Sequence, residues 1–374
     1  MKIHNLLLLA LATAPALAQS QDSSYLGIFA ETHQTIIAGM KQRQMPKLPP
    51  GISLPPSVRA MMPGGPKRML TVRLWSPGLA PDSATASIVP PSGLQLGQKL
   101  DLDIFRPKPA QPAGGGGGTG SSSSNGAPPD LTIKFYWGSS DTVQPGQPKI
   151  FNLATMTPGQ QMEMASHMKG MNPMASGGAS GGNYFYKDGW TTGYWPTDAE
   201  PGDIPDNASM AGTFNLNTSF AGNCTIDAPS NVDFLAPITM TSPDLSVKPA
   251  LDAALAFQWN QIPNALGEYA KAIGFEGKST LIIWSSADVF DDTLLGNTDY
   301  MQMSEVNDAV SKHIFMPGDS THMTIPAGIF ANSEMMMLNM VGYGPGSASS
   351  AGSPVPRIQT KTTLSVMVNN KKGR

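Results

Sequence analysis

A single cysteine, Cys224, stands in 374 residues, so no intrachain disulfide can brace this chain. Stability has to come from buried apolar surface and hydrogen bonds, for which the length is ample. Charge is sparse too: Asp, Glu, Lys and Arg make up 14% of the residues, with 24 Lys+Arg against 27 Asp+Glu. This even, slightly acidic mixture lacks the basic stripe with which a nucleic-acid binder releases counterions, and no nucleic-acid partner is expected. No run reaches the roughly 18 apolar residues that a membrane-crossing helix requires, so no transmembrane segment is expected either. Histidine is limited to five residues, which leaves few bases for proton transfer and few nitrogen ligands for a metal. No cofactor is expected.

What is present begins with MKIHNLLLLALATAPALAQS. Lys2 supplies a positive start, Leu6 to Leu11 an apolar stretch too short to span a bilayer, and Ala16-Leu17-Ala18 a small-residue cleavage site before Gln19. The pattern predicts a secretory signal peptide over 1–18 and an exported protein, periplasmic or extracellular. Next, SSYLGIFAETHQTIIAGMKQRQM places Leu26, Phe29, Ile36, Ile37 and Met40 at helix-like spacing behind Ser24 as a cap, which predicts a short amphipathic helix. MPKLPPGISLPPSVRAMMPGGP then reads as an extended Pro-rich linker, so that 19–66 holds helix plus linker.

From Lys67 the hydrophobic period changes to two. MLTVRLW, SATASIV, KLDLDIF, LTIKFYW, KIFNLA, GTFNLNTS and NVDFLAP alternate or run apolar between Pro/Gly turns, as half-buried strands do. The segment 106–130, RPKPAQPAGGGGGTGSSSSNGAPPD, cannot bury a core and predicts a disordered loop within a first β domain over 67–235. Its glycines lack a following helix to present amides to a phosphate, and Gly178-Ala179-Ser180-Gly181-Gly182 lacks the strand and helix that a nucleophile elbow needs. The C-terminal stretch 236–369 continues with a strand ending at Trp259, another bearing Tyr269, TLIIWSS, a helix near 304–314 from Val306, Val310 and Ile314, then MMMLNMVGYGPG and QTKTTLSVMVNN. NNKKGR ends in a basic tail over 370–374.

Several groups of residues invite chemistry. Between Met156 and Met174 there are six methionines in 19 residues, and Met162, Met164, Met168, Met171 and Met174 with His167 have M-x-M and M-x-x-M spacings. Thioethers select Cu(I); the competing reading is a Met/Gly-rich loop over 156–183 in which methionine is adaptable packing. The run 184–195 carries Tyr184, Phe185, Tyr186, Trp190, Tyr194 and Trp195, and Trp190, Tyr194 and Trp195 are the candidates for stacking against sugar rings, unless they point into a core. Asp288, Asp291, Asp292 and Asp299 offer oxygen donors without EF-hand spacing. His313 and His322 flank a turn with Asp319 and Ser320, where a hydrolytic triad is conceivable but no nucleophile is marked. No catalytic residue is therefore assigned. Cys224 reads as a small buried residue or an intermolecular bridge.

The Trp-then-Tyr spacing and the late Tyr343-Gly344 loop with its closing strand resemble a fibronectin type III-like sandwich over about 236–369, a likeness of fold and not of activity. FYWGSSDTVQPGQP, IIWSSAD, MTIPAGIF and VGYGPG, in that order, resemble a family of secreted bacterial proteins of unknown function over about 70–369. Where that family often carries a cysteine before its IPA-like turn, this chain has Met323-Thr324, so no shared disulfide is implied. The expected molecule is mostly β: two β-sandwich-like domains after a signal peptide, short helix and Pro-rich linker. Its expected role is non-catalytic, as an exported structural or interaction protein whose partner is a protein or cell-envelope component. A ligand-binding module for glycan or Cu(I) is the alternative, and a secreted hydrolase the second one.

Overall fold

The structure, a computed structural model, describes residues 23–40, 64–106, 131–168, 189–197, 200, 202, 204–291, 300–350 and 352–370, with side chains described only to 164 in the third of these. The expected signal peptide, most of the Pro-rich linker, nearly all of the Gly/Ser loop and the end of the basic tail lie outside the described residues. In chain order the elements are β1 (Tyr25–Ile37), β2 (Lys67–Pro77), β3 (Ala86–Val89), β4 (Leu100–Asp101), β5 (Asp103–Phe105), β6 (Thr132–Trp137) and β7 (Lys149–Asn152). There follow α1 (Pro158–Met168), β8 (Trp190–Trp195), β9 (Gly212–Thr218), β10 (Cys224–Ala228), β11 (Met240–Ser242), β12 (Leu255–Trp259), β13 (Gly267–Glu276) and β14 (Thr280–Ser285). Last come α2 (Met303–Ser311), β15 (Met316–Pro317), β16 (His322–Ile325), β17 (Ser333–Tyr343), β18 (Ser347–Ala348) and β19 (Val355–Asn369).

The strands form a 12-stranded sheet in the order β5-β8-β2-β1-β19-β17-β13-β14-β6-β7, with β15 on β13 and β18 on β19. Two smaller sheets, β10-β9-β3-β4 and β11-β12-β16, accompany it. The protein is thus mostly β, as the period-two pattern predicts, and strands from both sides of residue 235 share the large sheet. One expectation is overturned: residues 25–37 are not a helix but a strand in the middle of that sheet. β1 runs antiparallel to β2 and parallel to β19. Its apolar residues satisfy a period of two as well as a helical one, and neighbours on both sides supply a ladder that no helical face would match. NVDFLAP is likewise not a regular strand but a turn and irregular segment.

Alternation along the strands explains the layering. Leu26, Ile28 and Ala30 of β1, Leu70, Val72 and Leu74 of β2 and Ile358 of β19 all point to one side, where they pack with Ile88, Phe214, Leu216 and Ile226 of the four-stranded sheet. Further along that side, Ala270 and Ala272 of β13, Leu338 and Met340 of β17 and Leu364 and Val366 of β19 bury against Phe257, Trp259, Met323 and Ile325 of the three-stranded sheet. Between these two cores runs a polar seam: Thr32 Oγ1 donates to the Leu235 carbonyl at 2.7 Å, Thr362 Oγ1 to the Thr32 carbonyl at 3.2 Å, and Thr360 Oγ1 to the Pro345 carbonyl at 2.7 Å.

The opposite side of the large sheet is covered at one end by the helices. α1 begins with Pro158 behind Thr157, whose backbone N–H donates to Gln160 Oε1 at 3.0 Å, a start signal in which the proline fits the first turn. It sets Met164 against Ile133, Phe135, Ile273 and Ile283. α2 starts at a capping box, with the Gln302 N–H donating to Glu305 Oε2 at 2.6 Å, and lays Val306 and Ala309 over Tyr269, Phe315 and Tyr343. The helix expected near 304–314 is this one.

Candidate functional site

The other end of that second side carries aromatic and charged side chains where β8, β2, β1 and β19 meet. By register Arg73 of β2 lies beside Tyr194 of β8, Glu31 of β1 beside Lys361 of β19, and His33 beside Thr363. Tyr25 stacks with Trp190, ring centroids 6.2 Å apart, and Phe29 meets Trp75 edge-on at 6.3 Å. Tyr300, on the segment before α2, reaches over the sheet to within 4.5 Å of the Phe29 ring. The Arg73 guanidinium lies 5.7 Å from the Tyr194 ring centre and Lys361 Nζ 4.2 Å from that of Tyr300, both within the range of cation–π attraction. Gly27 is required here, since a Cβ at that position would come within 2.5 Å of the Phe29 ring.

At the centre is a hydrogen-bonded knot. Thr363 Oγ1 donates to Glu31 Oε1 at 2.5 Å, Tyr300 Oη donates to Glu31 Oε2 at 3.3 Å, and Lys361 Nζ stands 3.5 Å from the same oxygen. His33 Nδ1 is 2.7 Å from Thr363 Oγ1, and its Nε2 is 3.0 Å from Thr35 Oγ1. Burial alone would push the Glu31 carboxyl up; Lys361, His33 and Thr363 together outweigh it and hold the group well below the usual range, at about 2. Glu31 is therefore an anion that can only accept. The Thr363 hydroxyl must give it its proton, and the hydroxyl oxygen then accepts from His33 Nδ1–H. An imidazole that donates to a hydroxyl is not placed to deprotonate it, so this histidine, hydroxyl and carboxylate form a structural network and not an activated nucleophile.

The residues singled out from the sequence are distributed as follows. Trp190 and Tyr194 lie on this face, but Trp195, five residues after Trp190, points to the opposite side into the first core, where it is 1% exposed and its Nε1 donates to Glu200 Oε2 at 3.0 Å. The three aromatics therefore do not form one platform. Trp190 itself is 6% exposed; Tyr25, Trp75 and Tyr194 are half-buried. Of the methionines, Met162 is 77% exposed while Met164 is 5% exposed in the apolar cluster under α1. Two residues apart on a helix, they face different ways and do not converge. Met171 and Met174 lie outside the described residues, as do the side chains of His167 and Met168.

His313 adopts φ +59° just past α2, pairs with Asp288 at 3.8 Å and is exposed, like Asp288. His322 is exposed on β16 opposite Gln258. Among the described residues no hydrogen bond joins either histidine to Asp319 or Ser320. Asp291 is described; Asp292 and Asp299 are not. No group of three or more His, Cys, Asp or Glu among the described residues is arranged to hold a metal ion. Cys224 is half-buried against the first core, and burial pushes its thiol up to about 11.

Sequence reasoning missed Glu31, Arg73, Lys361 and Tyr300. The available signal was a lone acid, Glu31, in a largely apolar β1 and a lone lysine, Lys361, in the threonine-rich middle of β19. Comparison with known protein families, curated proteins and solved structures finds no match. No helix of the described residues is long and apolar enough to cross a membrane.

Proposed function

We propose that this is an exported, non-catalytic interaction protein, and that it binds its partner, a protein or cell-envelope component, through the aromatic and charged face where β8, β2, β1 and β19 meet. The observation that carries this reading is the half-buried set Tyr25, Trp75, Tyr194 and Tyr300, seated over buried Phe29, Arg73 and Lys361 on one side of the large sheet, while the other side is filled by the two smaller sheets. Aromatic rings are among the side chains that contribute most per residue to recognition; Arg73, buried and donating to the Val72 and Trp195 carbonyls, supports the rings from beneath. The Glu31 knot holds the centre of the face in one geometry, which lowers the ordering cost of binding.

The test is co-sedimentation of the mature protein with isolated envelope fractions, namely cell-wall polysaccharide and membrane vesicles, alongside a Tyr25→Ala/Trp75→Ala variant. Binding by the native protein that falls at least ten-fold in the variant is expected. Native protein that stays in the supernatant with every fraction, or a variant that binds equally well, ends the reading. A glycan ligand would appear as retention on the polysaccharide alone.

A further inference from the structure

On the side of the sheet away from that face, Glu268 of β13 is 1% exposed, and neither of its carboxyl oxygens has a hydrogen-bond partner. The indole Nε1 of Trp259, at the end of β12, is buried nearby and is also without one. The indole N–H is turned toward the carboxyl without closing a hydrogen bond of good geometry. One such donor cannot satisfy both oxygens of a buried carboxylate, whereas buried polar groups are satisfied in the great majority of cases. The carboxyl occupies the polar seam at the margin of the second core. β13 pairs it with Gly342 of β17 on one side and Met316 of β15 on the other. Gly342 leaves the space: a Cβ there would stand 3.0 Å from Ile262 Cδ1, 3.2 Å from Thr362 Cγ2 and 4.0 Å from Glu268 Cγ.

Burial raises the Glu268 carboxyl to about 8, the Trp259 indole opposing this and the Asp319 charge adding to it. Asp319 sits on the exposed turn between β15 and β16. Among the described residues the other elements packed around Glu268 bring no charge to it: β17 offers Gly342, β15 Met316, β19 Thr362, β12 Trp259 and the turn before β13 Ile262. Lys361 and Lys271 belong to the opposite side of the sheet by alternation, and His322 of β16 is exposed.

We propose that Glu268 is a proton-operated clasp: with its proton on, it lets the β11-β12-β16 sheet seat on the large sheet, and with its proton off it lifts the Met316–Ile325 edge and admits water to the second core. The neutral acid fits an apolar seam; the carboxylate, facing Asp319 and offered one indole N–H, gains more from water than from this site. Ionisation is relieved most directly at the β15–β16 turn, which is the exposed boundary of the site and carries the repelling charge. This inference does not depend on the binding face.

The experiment is backbone hydrogen exchange on the full chain at pH 6 and pH 9.5, corrected for the intrinsic pH dependence of exchange. Amides of Phe257, Met323 and Ile325, in the β12–β16 ladder, are expected to exchange at least ten-fold faster at the higher pH. Those of Ile28 and Ile358, in the β1–β19 ladder, should be unchanged. Glu268→Gln, which cannot ionise, should keep the β12–β16 protection at both values, and Asp319→Asn should reduce the opening at pH 9.5, because it removes a charge that makes the carboxylate costly in the seated state. Wild-type exchange at β12–β16 that follows the intrinsic dependence alone overturns the proposal, and so does a Glu268→Gln protein that opens as wild type does. If Glu268→Gln does not fold, Asp319→Asn decides: opening at pH 9.5 equal to that of the wild type overturns the clasp.

Discussion

Replacing Glu31 by Gln should destabilise the protein by about 3 kcal/mol at neutral pH and by much less in acid. The magnitude follows from linkage. Relative to its ordinary value of 4.5, the Glu31 carboxyl is held at about 2 in the folded chain, and each unit is about 1.4 kcal/mol of preference for the charged form. A carboxyl lowered on folding contributes its full stability above the unfolded value, and that contribution fades as pH falls from about 4.5 towards 2. The same size is reached from the structure directly. Lys361, with its side chain 7% exposed, loses the Glu31 carboxylate 3.5 Å away, and removing one partner of a buried ion pair costs about 3–5 kcal/mol. Urea unfolding of wild type and Glu31→Gln at pH 7 and pH 3 is the assay, with equal slopes required so that the midpoints report stability. A gap of about 3 kcal/mol at pH 7 that shrinks to about 1 at pH 3 is expected. A gap that is the same at both values, or absent at pH 7, would refute the argument that Lys361, His33 and Thr363 outweigh burial at this carboxyl.

The remaining expectations are simpler. With its thiol raised to about 11, Cys224 should react with a disulfide reagent at pH 7 on the order of a hundredfold more slowly in the native protein than in urea; equal rates would mean that the thiol is not shielded in the fold. Phe257, fully buried between the large and three-stranded sheets, should cost about 3–5 kcal/mol when changed to Ala, and thermal unfolding that hardly moves would place it outside the core. Gly344→Ala would set a Cβ 2.4 Å from Thr360 Oγ1 and 2.9 Å from Leu235 Cδ2, so a loss of about 1–3 kcal/mol is expected by denaturant titration, whereas Gly65→Ala, with open space around it, should be nearly silent.

Much of the fold was legible because its strands write their burial into a period of two: LTIKFYW became β6, TLIIWSS β14 and QTKTTLSVMVNN the greater part of β19. β1 was not, for a physical reason. A strand buried on both faces has no polar side to reveal the alternation, and the second face of β1 carries Phe29, Glu31 and His33 in place of a simple polar set. Phe29 and Ile36 then completed an apolar spacing that a helix would also have shown. The site was harder still. Glu31, Arg73 and Lys361 come together only because β1 stands between β2 and β19, and His33 and Thr363 are 330 residues apart. Nothing local to any of these residues announces the others. The methionine and aromatic clusters, by contrast, were conspicuous in sequence, yet helix and strand geometry sends Met162 and Met164, and likewise Trp190 and Trp195, to different sides.

The position of β1 also connects the core to the face. Within the large sheet, β5, β8 and β2 reach β19 and all that follows it only through β1. The pairing with β19 runs unbroken from Tyr25 opposite Val355 to Ile37 opposite Met367. One side of this strand joins the two apolar cores through the threonine seam, and the other side bears the Glu31 knot and the aromatic rings. A ligand that touched Tyr25 and Trp75 would therefore span β2 and β1 at once, with Tyr300 tying its site to Lys361 of β19 beneath. It would oppose any separation of β1 from its neighbours by its own binding energy, which at a hundred times its dissociation constant amounts to about 2.7 kcal/mol. Under that arrangement recognition on the outer face and integrity of the inner cores are one equilibrium: what weakens β1 weakens binding, and what binds holds β1 in place.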